Sequence, residues 1–282
     1  MLTALILALA SSVAYGVGAV FQGVGAQTTN EETEGAKGLL NILKHPFSLA
    51  GLVLDLAAWI MSRFSLHRLP LFAVQTMLAG SLALTVGLSH RLLHTPKRRA
   101  DTFAIAITGI GLTLVGLAAA DSQAESPSVR FEVLLFAALP ILMLMGVLAI
   151  QKRAAPPVLG LLAGLSFGFS ALSARAIVDV DGFIDLLKHR LLFVMLVYAA
   201  LGVVLFTRGV ERGQVGSVTA AMWAAEIVPP SIIGFVMLGD TVRSGWAPAA
   251  AIGIVLTLAA TASLARPIEV APVELTTADQ RS

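Results

Sequence analysis

Two acidic residues, Asp55 and Glu226, stand inside long apolar runs of the sequence. A charge at the centre of a bilayer costs ~2.5–3.5 kcal/mol even on the most lenient insertion scale, so an acid there is functional by default. At 1.5 Å per helical residue they lie roughly 12 and 17–20 Å from the side where their helices begin, within a ~30 Å core. Trp59 follows Asp55 by four positions and Trp223 precedes Glu226 by three, so each carboxylate is expected to share a helix face with an indole. Such a pair suits a cationic or aromatic solute, or a carboxyl that carries a proton. The plainer alternative is a carboxyl that is neutral, or paired with a backbone donor or a nearby hydroxyl.

Pro229 and Pro230 follow Glu226 closely. Two prolines remove two backbone donors and free carbonyls one turn earlier, near Ala225 and Glu226. A helix break is expected there, of the kind that opens backbone groups to a cavity, with a packing kink as the alternative. Gln75 is suited to bind a solute or to make an interhelical hydrogen bond. Tyr15 and Tyr198 are candidate cavity residues, and Gln22 and Arg175 are expected to snorkel from helix ends. Asp240 reads as the cap of a helix end near the outer surface. Asp179-x-Asp181-Gly182 lacks the remaining ligands of a calcium loop and reads as solvated. No metal site or cofactor is expected. The sequence has no His-Glu-x-x-His, no Gly-x-Ser-x-Gly and no phosphate-binding loop, so it does not read as an enzyme.

The elements that must position these residues follow from composition. Of 282 residues, 57% are hydrophobic and 13% charged, with mean hydropathy +0.86. Water-soluble domains have roughly 45–50% apolar and ~25% charged residues. The balance excludes a soluble domain, disorder, a coiled coil and a nucleic-acid binder, since the net charge is only +2. Nine helices of ~20 residues would consume about 180–200 residues. The runs are continuous rather than alternating, which excludes a β-barrel.

The fold class is an all-α polytopic membrane protein with about nine spans, read at 2–26, 47–61, 69–89, 102–120, 131–150, 156–178, 191–207, 215–239 and 246–265. The first run has no basic leader and is expected to be a retained helix. Leu39, Leu40, Ile42 and Leu43 beside Lys37 and Lys44 suggest a surface-lying amphipathic helix. Arg63 is expected to snorkel, and the tail after Arg266 to be disordered. Without cysteine, no disulfide or thiol chemistry is available. Twelve Lys and Arg fall on the side of Lys37, Arg91, Lys152, Arg208 and the tail, against seven on the other. The positive-inside rule then puts the N-terminus outside and the C-terminus in the cytoplasm.

The sequence also resembles itself. Shifted by 144 residues, Gly109-Ile110-Gly111-Leu112-Thr113-Leu114 falls on Gly253-Ile254-Val255-Leu256-Thr257-Leu258 with five of six identical. Shifted by 152, Ala8, Ser12, Gly16 and Ala19 fall on Gly160, Gly164, Gly168 and Ala171, and Tyr15 on Phe167. Corresponding helices are five apart, an odd interval, so the halves would be inverted, four spans plus one plus four. The division is 1–120 for the first repeat, 121–155 for a linking helix, 156–266 for the second repeat and 267–282 for the tail.

Three stretches carry a family resemblance. Leu69-Pro70-Leu71 leads into a helix with Val74-Gln75; Glu226-x-x-Pro229-Pro230 runs on to Leu238-Gly239-Asp240; and Gly253 opens an apolar run to Arg266. In these the chain resembles the drug/metabolite transporter superfamily, specifically its EamA-like permeases. It departs from them in having nine spans instead of ten, Asp240 in place of Glu, and His90-Arg91 where an acidic motif would close the first half. In the first two respects it also resembles the NIPA-type magnesium transporters. The resemblance implies a plasma-membrane (inner-membrane) permease for a small organic solute, working by alternating access. Lacking an ATP site, any active transport would run on an ion gradient, with Glu226 and Asp55 binding the solute or a coupling proton. A magnesium or divalent-cation pathway is the second expectation. A non-transporting scaffold or lipid-flippase accessory subunit is the third. The expected partners are the bilayer and a small solute, with a homodimer left open and no nucleic acid.

Overall fold

The structure, a computed structural model, describes residues 1–28, 45–92, 99–122, 127–177, 183–212 and 215–264. The expected amphipathic segment around Lys37 and Lys44, the Asp179-x-Asp181-Gly182 loop and the tail after Arg266 lie outside the described residues. The helices are α1 (Leu2–Thr28), α2 (Pro46–Leu66), α3 (Leu71–Ala79), α4 (Ser81–Leu92), α5 (Arg99–Ala118) and α6 (Val129–Gln151). They continue as α7 (Pro156–Ala176), α8 (Phe183–Lys188), α9 (Arg190–Arg212), α10 (Val215–Met237) and α11 (Ala247–Leu264). Nine spans are long and apolar enough to cross a membrane among the described residues, α3 and α4 together forming the third, Leu71–Arg91. The chain is an all-α polytopic membrane protein.

Successive spans alternate in direction between two faces. The Met1 face gathers the Met1 ammonium 3.6 Å from Asp121, with Arg68 at 3.8 Å from the same carboxylate. The opposite face, where α11 ends, is called the Leu264 face below. Large apolar side chains such as Val53, Phe103, Phe193, Val236 and Val255 are exposed along the spans, as lipid contact requires. The fifth span, α6, buries only Phe131, Leu135, Leu142 and Gly146.

Packing follows small residues. α1 pairs with α2, α7 with both α9 and α10, and α5 with α11. Along α7 an added Cβ at Gly160, Gly164 or Gly168 would strike the carbonyl oxygens of Val218, Met222 and Glu226 in turn. Three glycines four apart thus ride on three carbonyls four apart, the close backbone approach that small-residue stripes permit. Between α5 and α11, a Cβ at Gly253 would lie 2.7 Å from the Gly111 carbonyl oxygen. On these two helices Thr113 donates to Gly109 O at 2.8 Å and Thr257 to Gly253 O at 2.9 Å. In α1 and α2, Ser11 donates to Ala58 O at 2.7 Å and Ser65 to Ala4 O at 2.8 Å.

The third span departs from the continuous helix the sequence suggests. α3 ends at Ala79 and α4 begins at Ser81, with the Gly80 amide turned onto the Met77 and Thr76 carbonyls at 3.1 and 3.2 Å. Leu112 of α5 lies against Gly80, its Cδ1 2.6 Å from where a Cβ would stand. The reverse holds at Pro229 and Pro230, where a break was expected. α10 runs through both prolines uninterrupted. Gly168 of α7 leaves space for the Pro230 ring, whose Cγ stands where a Cβ at Gly168 would be.

Candidate functional site

Among the described residues, two neighbouring cavities open between the helices, one toward each face. The larger, about 390 Å³, is lined by Tyr15, Gln22, Asp55, Ser81, Thr85, Trp223 and Glu226 among others, and lies toward the Leu264 face. The smaller, about 190 Å³, lies toward the Met1 face and includes Tyr15, Trp59, Ser62, Arg63, Gln75, Ser170 and Glu226. Tyr15, Leu78 and Glu226 line both and form their common wall.

Glu226 is placed there by the α7–α10 glycine contact, which fixes the height of α10 against α7. Gln75, a buried residue of α3, donates its Nε2 to Glu226 Oε1 at 3.4 Å. Leu78, three residues on, supplies the apolar part of the wall. Tyr15 comes from α1, whose small residues let it lie close to α4: a Cβ at Gly16 would meet the Ser81 carbonyl at 3.0 Å. Asp55 lies across α1, and Gln22 Nε2 donates to its Oδ2 at 2.6 Å.

Asp55 and Trp59, four positions apart on α2, line different cavities. Asp55 faces the larger cavity together with Trp223, whereas Trp59 faces the smaller one. One helical turn is ~5.4 Å, enough to carry a side chain past the common wall. Glu226 and Trp223 do share a cavity.

Three side chains expected to reach the membrane surface point inward. Gln22 holds Asp55 instead of snorkelling. Arg63 donates to the Ala174 and Ile177 carbonyls, satisfying the C-terminal end of α7 while lining the smaller cavity. Arg175 is almost fully buried and forms an ion pair with Asp240. Tyr198 lines neither cavity; its hydroxyl donates to Leu135 O at 2.7 Å, tying α9 to α6, and its ring stacks on Phe169. The shared reason is that free carbonyls and acids inside the bundle offer these groups partners that lipid does not.

Asp240 lies after α10 and is buried, not at the surface. Its Oδ2 accepts the Leu71 amide at 2.7 Å, so it caps α3 and not its own helix. Arg175 Nη1 donates to Leu66 O and, at 2.7 Å, to Leu69 O, and its Nη2 lies 3.3 Å from Ser122 O. The surrounding backbone is stitched further by Ser122 N to Arg68 O at 3.0 Å and Arg243 N to Ala118 O at 2.9 Å. Beside this cluster, burial and the charges of Arg63 and Arg175 hold the His67 pKa below its ordinary 6.5.

Gln22, Arg63, Ser81 and Thr85 line the cavities in addition to the expected residues. The signal in the chain is a polar side chain inside an apolar run, which these four share with Gln75. Among the described residues no group of three or more His, Asp or Glu side chains gathers as metal ligands.

The chain is similar to an uncharacterized protein of Corynebacterium glutamicum, 26% identical over 247 residues, which cover 85% of this chain and 86% of the relative. No family model and no solved structure matches the chain.

Proposed function

We propose that this chain is a secondary transporter that moves a small solute bearing a cationic or aromatic group across the membrane by alternating access. The observation that carries the reading is Glu226, which lines both cavities and therefore meets a solute from either face. The larger cavity falls in the size range of small-molecule sites. It carries two carboxylates, Asp55 and Glu226, with an indole and a phenol, the chemistry that attracts an organic cation. Glu226 also suits the coupling proton, because solute and proton would compete for one carboxyl.

Several features support an inverted repeat as the moving frame. The first span of each half packs on the second, and the fourth spans α5 and α11 pack on each other. Gly16 and Gly168, matched by the 152-residue shift, each press on a backbone carbonyl of the third span of their own half, Ser81 and Glu226. The Thr113 and Thr257 hydrogen bonds match under the 144-residue shift. This frame accords with the resemblance to EamA-like permeases, and the plasma membrane with the N-terminus outside remains part of the same proposal, resting on that resemblance and on the Lys and Arg distribution.

A ligand-stabilisation screen of the purified protein identifies a solute, and uptake into proteoliposomes then tests the site. Glu226→Gln should abolish uptake and proton-driven accumulation. Unchanged uptake in both Glu226→Gln and Asp55→Asn sinks the assignment, and a chain that moves no solute is a scaffold.

A further inference from the structure

We infer that Arg175 and Asp240 form a latch that closes the Met1 face, and that half-helix α3 couples this latch to Glu226. The inference rests on the alternating-access reading. Arg175 reaches the α2–α3 connection at Leu66 and Leu69, the segment after α5 at Ser122, and the segment after α10 at Asp240. One guanidinium at the end of α7 therefore joins parts of four spans above the smaller cavity.

The coupling lies in α3. Its nine residues are buried apart from Leu78, which lies in the common wall, and both grips on it come from α10 or the segment just after it. Asp240 accepts the Leu71 backbone amide at its first turn, and Glu226 accepts from the Gln75 side-chain Nε2 one turn on. Gly80 and Ser81 lie where α3 gives way to α4, and a Gly/Ser pair is a place where a helix bends, so α3 can tilt there relative to α4. Releasing the Asp240 grip frees α3 to pivot at Gly80 and moves Gln75 and Leu78 away from Glu226. Conversely, a solute or proton that takes Glu226 from Gln75 loosens the other grip and unlocks the Met1 face. Latch and site are thus two ends of one lever, with the reciprocity that linkage demands.

The chain has no cysteine, so single introduced cysteines report cavity exposure in the full-length purified protein. Ser62→Cys probes the smaller cavity and Thr85→Cys the larger. The readout is the rate of modification by a charged methanethiosulfonate reagent. Asp240→Asn should raise the rate at Ser62→Cys by about ten-fold, the scale of linked-site coupling, and lower it at Thr85→Cys. Arg175→Gln/Asp240→Asn, which leaves no unpaired buried charge, should do the same and decides the matter if Asp240→Asn fails to fold. Gln75→Leu should raise the Ser62→Cys rate too, with no further gain on adding Asp240→Asn. Rates that are unchanged, or that rise at both cysteines together, overturn the latch; additive effects of Gln75→Leu and Asp240→Asn overturn the lever. Labelling needs no transported solute, so a failure here is distinct from a failure of the uptake assay.

Discussion

At the Met1 face, four segments converge on an Arg175–Asp240 pair whose side chains are both about 1% exposed, above a cavity of about 190 Å³. At the Leu264 face, His90 and Asp101 stand 3.6 Å apart between α4 and α5, Arg208 and Glu211 pair within α9, and the cavity is about 390 Å³. The cavities differ in charge as well. The larger holds Asp55 and Glu226, whereas the smaller sets Arg63 against Glu226. A fixed charge buried among backbone carbonyls is a structural commitment, because its partner cannot leave without stranding it. The half-exposed Arg208–Glu211 pair within one helix carries no such commitment, while His90 and Asp101, about 10% and 5% exposed, join two spans at that face. The contrast sets an ion pair reached by four segments on one face against the roomier, more acidic cavity on the other.

The sharpest way to break this contrast is through stability. Arg175→Gln leaves Asp240 buried without its counter-charge and should cost ~3–5 kcal/mol, read as a large fall in melting temperature. Arg208→Gln, at the half-exposed pair on the other face, should cost less than ~1 kcal/mol. Equal losses would erase the distinction between the faces.

Glu226 belongs to both cavities, so Glu226→Gln should lower solute uptake about a hundredfold whichever face the solute approaches, the loss expected when a charged contact disappears. A defect seen from one face alone would remove Glu226 from the common wall.

Asp55 and Arg63 should part in sign. Asp55→Asn weakens binding of a cationic solute at the Leu264 face by about ten-fold, and Arg63→Gln strengthens it at the Met1 face by a few-fold. Binding titrations with the identified solute against each variant decide it, and matching signs would refute the charge contrast.

The smallest effect concerns pH. Burial, Arg63 and Arg175 hold the His67 pKa below 6.5 in the folded chain, so the unfolded chain binds more protons. Stability therefore rises with pH up to about 6.5 and is lost as pH falls below it. His67→Gln should flatten that acid-side slope of the melting temperature; an unchanged slope would show that neither burial nor the two arginines lower the His67 pKa.

Much of the fold could be read from the chain because apolar runs of about twenty residues leave few other structures open. Glu226 and Asp55 were visible for the same reason, as charges where charges are costly. What escaped depends on neighbours distant in sequence. Gly80 looks like any membrane glycine until Leu112 lies against it. Arg175, at the end of an apolar run, looks like a snorkelling arginine until the Leu66 and Leu69 carbonyls and Asp240 surround it. Pro229 and Pro230 announce a break, yet α10 continues through both, its Pro230 ring packed against Gly168 of α7. Trp59 and Asp55 share a helix face but not a cavity, since the wall between the cavities is built from α1, α3 and α10.

That wall has an electrical meaning. Wherever water fills the two cavities, each becomes an extension of the solution on its own side. The membrane potential then falls not over the whole ~30 Å of hydrocarbon but across Tyr15, Leu78 and Glu226. A unit charge carried past Glu226 would thus traverse most of the field within one short step, worth ~2.3 kcal/mol per 100 mV. For a chain that carries a cation or a proton, voltage acts on that single step, and trimming Tyr15 would thin the insulator on which the whole gradient rests.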